Sequence, residues 1–320
     1  GAGSLMTKVA LHLIEQNIPV LAVFAPRHCD DQSISLLKEY GVEVIVCDSY
    51  PDQCSDLINI LPGFTRLCLC FGPAWIFSDA FLHYFSQRIF NYNGIPLPTY
   101  LGGAHFTWQI LNQSRSGGCY LQQITSIVDR GPIYKAATYS VDGNCLEPID
   151  YENMNLHEGF SFLKNIIHQF ISNGCISSDH SNVDWDSLSY FPRLYTPLHA
   201  WINWSWSGHE IYSFCRAFSS PYSGARTSLN GQDVLFENVD FSTDPSIHPF
   251  CSGLVTKFDH LSGVTDVLAR GGILHVGRIL SLDNQVRVTP RLGVRFITSS
   301  MRLDTALLPV SYNQDGLVSP

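Results

Sequence analysis

The chain has 320 residues and a formal net charge of −9, with 45% hydrophobic and 15% charged residues. This balance argues against a broad nucleic-acid-binding surface, because such a surface needs clustered lysine and arginine to displace counterions. No apolar run reaches the roughly 20 residues that cross a bilayer, and the start of the chain lacks the basic and apolar regions of a signal peptide.

Helix and strand patterns alternate over the first hundred residues. Apolar residues recur at helical spacing from Leu5 to Ile14, and further helices are predicted at residues 33–40 and 78–87. Between them lie short apolar runs of the kind found in buried parallel strands. These runs span residues 19–24, 42–47, 67–71 and 88–91. Such alternation is typical of βαβ units, so we predict an α/β domain with a parallel-rich sheet.

The second half of the chain has a different character. Residues 175–209 are rich in Ser, Asn, Asp and aromatic side chains and are predicted to form a connector, followed by one helix near residues 208–218. Beyond it the pattern changes to short strands, and Asn230-Gly231 is a strong hairpin signal. The strands are predicted at residues 234–236, 253–258, 264–268, 273–280 and 286–288. We therefore expect a small, mostly β C-terminal domain.

One segment carries the residues that suggest chemistry. A strand ends at Asn91, a loop rich in Pro and Gly follows, and a helix is predicted to begin near Ala104. In a parallel sheet, ligands bind outside the carboxyl ends of the strands. The two amides of Asn91 and Asn93 on a rigid loop at that place suit a site that stabilises an oxyanion. From these residues alone, a capped strand end with asparagine in turns is the alternative.

This segment resembles the folate-dependent formyltransferases, which act on methionyl-tRNA, glycinamide ribonucleotide or amino sugars. Their pattern is a strand ending in Asn-x-His, then Leu-Pro-x-Tyr-x-Gly, then a later Asp-x-Gly loop. Asn91, residues 97–102 and Asp129-Arg130-Gly131 match it in order, but Asn93 stands at the histidine position. The loop also departs from the family at Thr99 and Leu101, where basic residues are common.

The resemblance extends into the connector and the C-terminal part. Residues 190–193, 202–204 and 210–217 are similar to the linker and docking helix of the sugar and methionyl-tRNA enzymes. It implies a Rossmann-like formyltransferase domain followed by a small, OB-like β domain. The expected limits are residues 1–185 for the α/β domain, 186–207 for the linker, 208–312 for the docking helix and β domain, and 313–320 for a tail.

The family transfers a formyl group from 10-formyltetrahydrofolate to a primary amine. The resemblance implies that Asn91, Asn93 and Asp129 are the catalytic residues, with Asp129 orienting the site. An asparagine amide cannot take up a proton near neutral pH, so His105 is the nearest candidate in sequence for the missing base. The resemblance also implies folate-binding residues in two loops: Phe71, Gly72, Trp75, Ile76, Ile124, Ile127 and Val128.

Two functions remain open. The first is N-formylation of a small metabolite, an amino sugar or a carrier-bound biosynthetic intermediate. The second is a formyltransferase-like domain that binds folate, a carrier protein or another partner without standard transfer, which Asn93 supports. Initiator tRNA is disfavoured because the chain beyond Pro197 offers no basic platform. The hypothesis of a nicotinamide-dependent oxidoreductase is supported only by Gly1-x-Gly3 and the parallel-sheet pattern.

The expected setting is a reduced, cytoplasmic protein without a metal site. Cys47, Cys68 and Cys70 lie in apolar, strand-like runs, where a free thiol behaves as a small buried hydrophobe. No C-x-x-C pair occurs, which argues against a zinc knuckle. A disulfide-stapled secreted protein is the alternative. The start and the polar tail are also compatible with a domain of a larger multidomain chain.

Overall fold

The computed structural model describes residues 2–25, 30–47, 67–73, 77–86, 88–103, 105–127, 130–178, 185–313 and 316–318. The chain begins with α1 (Ala2–Glu15), β1 (Leu21–Phe24), α2 (Asp31–Glu39) and β2 (Glu43–Val46). β1 and β2 pair in parallel, as the alternating pattern predicts. Helix α2 begins where the Asp30 carboxylate accepts the first backbone N–H groups, and it ends before Gly41, whose φ is 78°.

A four-stranded sheet forms the centre of the α/β part. Its strands are β3 (Cys68–Cys70), β4 (Ile89–Asn93), β6 (Ser116–Gln123) and β7 (Ile133–Ser140), in the order β3-β4-β6-β7. β3 and β4 are parallel, with α3 (Asp79–Tyr84) between them. β6 and β7 run antiparallel, because a loop without a crossover helix joins them. The α/β class is confirmed, and the parallel pairs β1–β2 and β3–β4 lie within the first hundred residues.

A 26-residue helix, α5 (Pro148–Asn173), covers one face of this sheet, after the shorter α4 (His105–Leu111). Proline at its first position and Gly174 in the left-handed conformation after its end define its limits. Buried residues of α1, the sheet and α5 form one core. Its members include Leu5, Val9, Phe90, Tyr92, Leu121, Leu163 and Ile167. The sequence patterns did not predict this helix.

The C-terminal part is a six-stranded antiparallel sheet behind two helices, α6 (Thr196–His199) and α7 (Gly208–Ala217). Asn230 and Gly231 both have positive φ and connect the first hairpin, so the predicted turn is confirmed. The strands are β9 (Ala225–Leu229), β10 (Gln232–Thr243), β11 (Val255–Phe258), β12 (Thr265–Ala269), β13 (Gly272–Ser281) and β14 (Phe296–Ile297). Their order is β11-β12-β13-β10-β9-β14.

The two outer strands of this sheet meet. Leu254 and Arg295 form a bridge beside β11 and β14, and the Phe296 N–H donates to the Gly253 carbonyl at 2.9 Å. Gly253 has a φ of 83°, and a side chain there would lie 2.4 Å from the Phe296 carbonyl oxygen. The sheet thus curls until its edges are hydrogen-bonded, which agrees with the expected OB-like architecture.

Two predictions for this part need correction. Residues 286–288 do not form the predicted strand. They make one isolated β-bridge, between Arg287 and Leu280. After α8 (Ser300–Thr305), the predicted tail contributes β16 (Gly316–Val318), which pairs antiparallel with β15 (Ser311–Asn313).

The α/β part and the barrel share a buried cluster. Ile110 of α4 and Tyr151 of α5 pack together with Ile211 of α7 and the inner face of the barrel. The Thr107 hydroxyl donates to the Ala217 carbonyl at 3.0 Å across the same contact. This cluster is the interface between the two parts. The proposed domain limits stay predictions. Within the described ranges, no helix is long and apolar enough to cross a membrane.

Candidate functional site

Strand β4 places its two asparagines on one face of the sheet. Side chains alternate along a strand, so Asn91 and Asn93 point away from the core that buries Phe90 and Tyr92. The Tyr92 hydroxyl is fixed by a hydrogen bond to Asn155 of α5 at 3.2 Å. This anchor holds the register of β4 against the helix and leaves both asparagines half-buried at the carboxyl end of the strand.

The two asparagines belong to a series of hydrogen-bonded amide groups, called the amide chain below. It runs from Gly72, just after β3, to Gly131, just before β7. The Gly72 N–H donates to Asn91 Oδ1 at 3.4 Å, and Asn91 Nδ2 donates to Asn93 Oδ1 at 2.9 Å. Asn93 Nδ2 then donates to Gln122 Oε1 at 3.0 Å, and Gln122 Nε2 donates to the Gly131 carbonyl at 2.9 Å.

The ends of this chain fix the direction of every amide in it. At one end Gly72 contributes a backbone N–H, which only donates, and at the other end Gly131 contributes a carbonyl, which only accepts. Each side-chain oxygen must therefore point towards Gly72 and each side-chain nitrogen towards Gly131. Asn91 and Asn93 each use one N–H in the chain, and the second has no partner among the described residues.

The loop after β4 is held from outside by the predicted linker. β5 (Leu101–Gly102) pairs in parallel with β8 (Tyr190–Phe191), and the Phe191 ring stacks on Tyr100 at 5.0 Å between centroids. Gly102 has a φ of 110°, and a side chain there would lie 2.0 Å from the Phe191 carbonyl oxygen. The family-like loop thus takes its shape from residues nearly a hundred positions later in the chain.

His105 lies at the start of α4 with its ring turned towards this loop. Burial lowers its pKa to about 4, against a hydrogen bond to the Tyr100 backbone that raises it, and the nearby Arg193 guanidinium lowers it further. Its Nδ1 is buried without a partner among the described residues. The groups that shift its pKa are Tyr100 and Arg193, and neither Asn91 nor Asn93 is among them.

The loops predicted to bind folate are described only in part. Phe71 packs at 6.1 Å from the Tyr92 ring, and Gly72 takes part in the amide chain. On the other side of β4, the Ile124 N–H donates to the Ile89 carbonyl at 2.9 Å, while Ile127 is 65% exposed. The remaining predicted site residues, Trp75, Ile76, Val128 and Asp129, lie outside the described residues.

Gln122 is the site residue that the sequence did not reveal. It faces Asn91 directly across the β4–β6 pairing, and its side chain is in the amide chain. A glutamine in a strand carries no motif, and its proximity to Asn93 depends on a strand register that a single sequence does not show. Within the described residues, no group of three His, Cys, Asp or Glu is placed to bind a metal ion.

Several known proteins are similar to this chain. A family model described as formyl transferase, C-terminal domain, matches residues 196–287. The chain is 25% identical over 262 residues to bifunctional polymyxin resistance protein ArnA of Wigglesworthia glossinidia brevipalpis, covering 78% of this chain and 38% of ArnA. It is 24% identical over 222 residues to methionyl-tRNA formyltransferase of Borrelia turicatae, covering 69% of each. The chain thus spans well under half of the ArnA relative.

Two solved structures share the fold. WlaRD, a sugar 3N-formyl transferase, aligns with a TM-score of 0.55 at 18% identity, over 88% of this chain and 95% of its own. HypX from Aquifex aeolicus aligns with a TM-score of 0.56 at 15% identity, over 89% of this chain and 47% of its own. At these identities the structures establish the fold alone. Residues 196–287 match the formyl transferase C-terminal domain, and most of the chain is similar in sequence to known formyltransferases.

Proposed function

We propose that this chain transfers a formyl group from 10-formyltetrahydrofolate to the primary amine of a small metabolite, an amino sugar or a carrier-bound intermediate. The observation that carries the proposal is the amide chain at the end of β4. It leaves one N–H of Asn91 and one of Asn93 without a partner among the described residues. Two oriented donors at that place suit the oxygen of a reacting formyl group.

The proposed reaction forms one C–N bond and breaks another. The neutral amine attacks the formyl carbon, and negative charge develops on the formyl oxygen. Asn91 and Asn93 donate hydrogen bonds to that oxygen as it becomes an oxyanion. Collapse of the intermediate expels N10 of tetrahydrofolate, which takes up a proton, and the amine nitrogen loses one. Asp129, two residues before the Gly131 carbonyl, is the nearest carboxylate in sequence to the amide chain.

Folate as the formyl donor is supported by two relatives of the same fold. WlaRD was solved in the presence of dTDP and 5-N-formyl-THF, and HypX in complex with tetrahydrofolic acid. In this chain, the loops after β3 and β6 flank β4. None of the described residues lies within 4 Å of a side chain added at Gly72, and Ile127 is exposed. Backbone groups of the two loops are suited to bond the polar edges of a planar ring.

A small acceptor is favoured over tRNA. The formal net charge of −9 disfavours a partner that carries many phosphates.

Asn93 supports a second candidate function. The amide cannot perform the proton transfer of the family's histidine, and the contribution of such a step is about 10²–10⁴ in rate. In that case the chain binds a folate, a carrier protein or another partner at the end of β4 and does not catalyse formyl transfer.

The test is a matched pair of asparagine variants. We expect 5-formyltetrahydrofolate to bind saturably by calorimetry, and an acceptor amine to drive loss of 10-formyltetrahydrofolate. Asn91→Ala removes a donor to the oxyanion, so kcat should fall about 10²–10³-fold while folate affinity is retained. Asn144→Ala removes an exposed amide and should leave both unchanged. Absence of binding at millimolar ligand contradicts the folate proposal, and binding without turnover on any amine favours the second candidate.

A further inference from the structure

We infer that Gln122 is a positioning residue that makes Asn93 a hydrogen-bond donor to the substrate where the family has histidine. The inference deepens the proposed function and rests on it for the effect on catalysis. The orientation of the Asn93 amide, however, is a property of the folded chain alone and is tested separately below.

The first step in the argument is the cost of burying Gln122. The residue is 3% exposed and lies within β6. An amide buried without partners is strongly destabilising, so a glutamine at such a position must have its polar atoms bonded. Both ends of this amide are bonded, one to Asn93 and the other to the Gly131 carbonyl.

The second step concerns the direction of the Asn93 amide. The oxygen and nitrogen of an asparagine are similar in size, and rotation by a half-turn about the last torsion exchanges them. Gln122 already donates its Nε2 to Gly131, so its Oε1 is the atom turned towards Asn93 and it can only accept. Asn93 must therefore turn its nitrogen to Gln122 and its oxygen to Asn91.

The third step is what this direction does at the site. With its oxygen bonded to Asn91, Asn93 has its carbonyl occupied and one N–H without a partner among the described residues. A flipped Asn93 would instead present its oxygen to the reacting formyl oxygen and repel the developing charge. Gln122 also bonds to Gly131 of the Asp129-Arg130-Gly131 sequence, so it connects the donor pair to the segment that carries the carboxylate.

The experiment compares two buried glutamines in the full-length protein. Gln122→Met keeps the shape of the side chain and removes both hydrogen bonds. Gln109→Met is the matched control, because Gln109 is 1% exposed and donates to the Ser116 carbonyl at 2.7 Å outside the amide chain. We expect Gln122→Met to lower kcat about 10- to 100-fold with KM for the folate retained, as for loss of a bonded partner of a buried amide. We expect Gln109→Met to leave kcat unchanged.

A double-mutant cycle distinguishes positioning from a general structural role. Because Gln122 acts through Asn93, Gln122→Met should cause no further loss of kcat in a chain that already carries Asn93→Ala. Losses that multiply in the double variant would overturn the inference. So would a loss of the same size in Gln109→Met.

A second readout does not require turnover. In side-chain amide NMR, the Asn93 amide proton that is bonded to Gln122 should exchange slowly in the unmodified protein and quickly in Gln122→Met, with the backbone spectrum retained. Slow exchange that survives Gln122→Met overturns the inference whatever the activity is. If the exchange behaves as expected and the unmodified protein formylates no amine, the proposed function fails while the positioning role of Gln122 stands.

Discussion

At the scale of single residues, Asn93 is held by hydrogen bonding. It donates to Gln122, and its carbonyl is bonded by Asn91. The sequence motif predicts that Asn93 stands at the histidine position, but it does not show the partner. Gln122 and Asn93 are neighbours only because Asn91 pairs with Gln122 in the antiparallel register of β4 and β6.

His105 leads to a prediction about stability rather than catalysis. Its pKa in the folded chain is about 4, and that of an unfolded histidine is about 6.5. Between these values the unfolded chain binds more protons, so the free energy of unfolding falls as the pH drops from 6.5 through 4. The contribution of His105 to this fall is at most about 3 kcal/mol.

His105→Gln should therefore flatten the pH dependence of stability in this window. The measurement is urea unfolding of both proteins between pH 4 and 7.5. The other titrating groups are common to both, so the difference between the two curves isolates His105. Equal slopes would show that His105 is not buried in its neutral form.

At the scale of elements, apolar runs and special turn residues were the reliable signals. They predicted β1 to β4 and the turn at Asn230. Strand β6 escaped because it opens with Gly117 and Gly118, which are poor strand formers but lie against the Tyr139 and Tyr120 rings. Helix α5 was not predicted from the sequence, although its buried residues recur at helical spacing and Pro148 and Gly174 lie at its ends. The β5–β8 pair depends on residues far apart in sequence, which no local pattern shows.

The pairing of β5 with β8 predicts a sharp response to a methyl group at Gly102. In Gly102→Ala the added carbon meets the Phe191 carbonyl oxygen, and alanine is disfavoured at a φ of 110°. We expect a loss of at least about 2 kcal/mol in the free energy of unfolding. Gly143→Ala is the control, since nothing lies within 4 Å of the added carbon there.

Chemical unfolding and tryptophan fluorescence measure both effects. The Trp108 indole donates to the Pro192 carbonyl at 2.8 Å, next to β8, so its emission reports whether the pair has separated. We expect a change of emission in Gly102→Ala alone. A Gly102→Ala protein as stable as Gly143→Ala would show that the loop is not held by β8.

At the scale of the whole molecule, sequence composition indicates two parts, and the structure joins them. Helix α7 begins at Gly208 and the strands of the barrel follow from Ala225, so the β pattern of the sequence corresponds to the strands of the barrel. Yet α7 packs its apolar face against both sides at once, and its Arg216 is ion-paired with Glu147 at the start of α5. A change of pattern along the chain marks a change of architecture, and it carries no information on how much surface the parts bury against each other.

The shared cluster predicts that the chain unfolds as one unit. Ile211 of α7 and Leu163 of α5 are both fully buried, the first in the shared cluster and the second in the core of the α/β part. Ile211→Ala and Leu163→Ala each leave a cavity that costs about 2–5 kcal/mol. We expect a single calorimetric transition that both variants move to lower temperature, and reduced hydrogen-exchange protection of β6 amides in Ile211→Ala as well as in Leu163→Ala. Leu261→Ala changes a side chain that is 99% exposed, so it should alter neither the transition temperature nor the hydrogen-exchange protection. Two resolved transitions, of which Ile211→Ala shifts one and Leu163→Ala the other, would show that the two cores unfold separately and that the chain divides at the predicted linker.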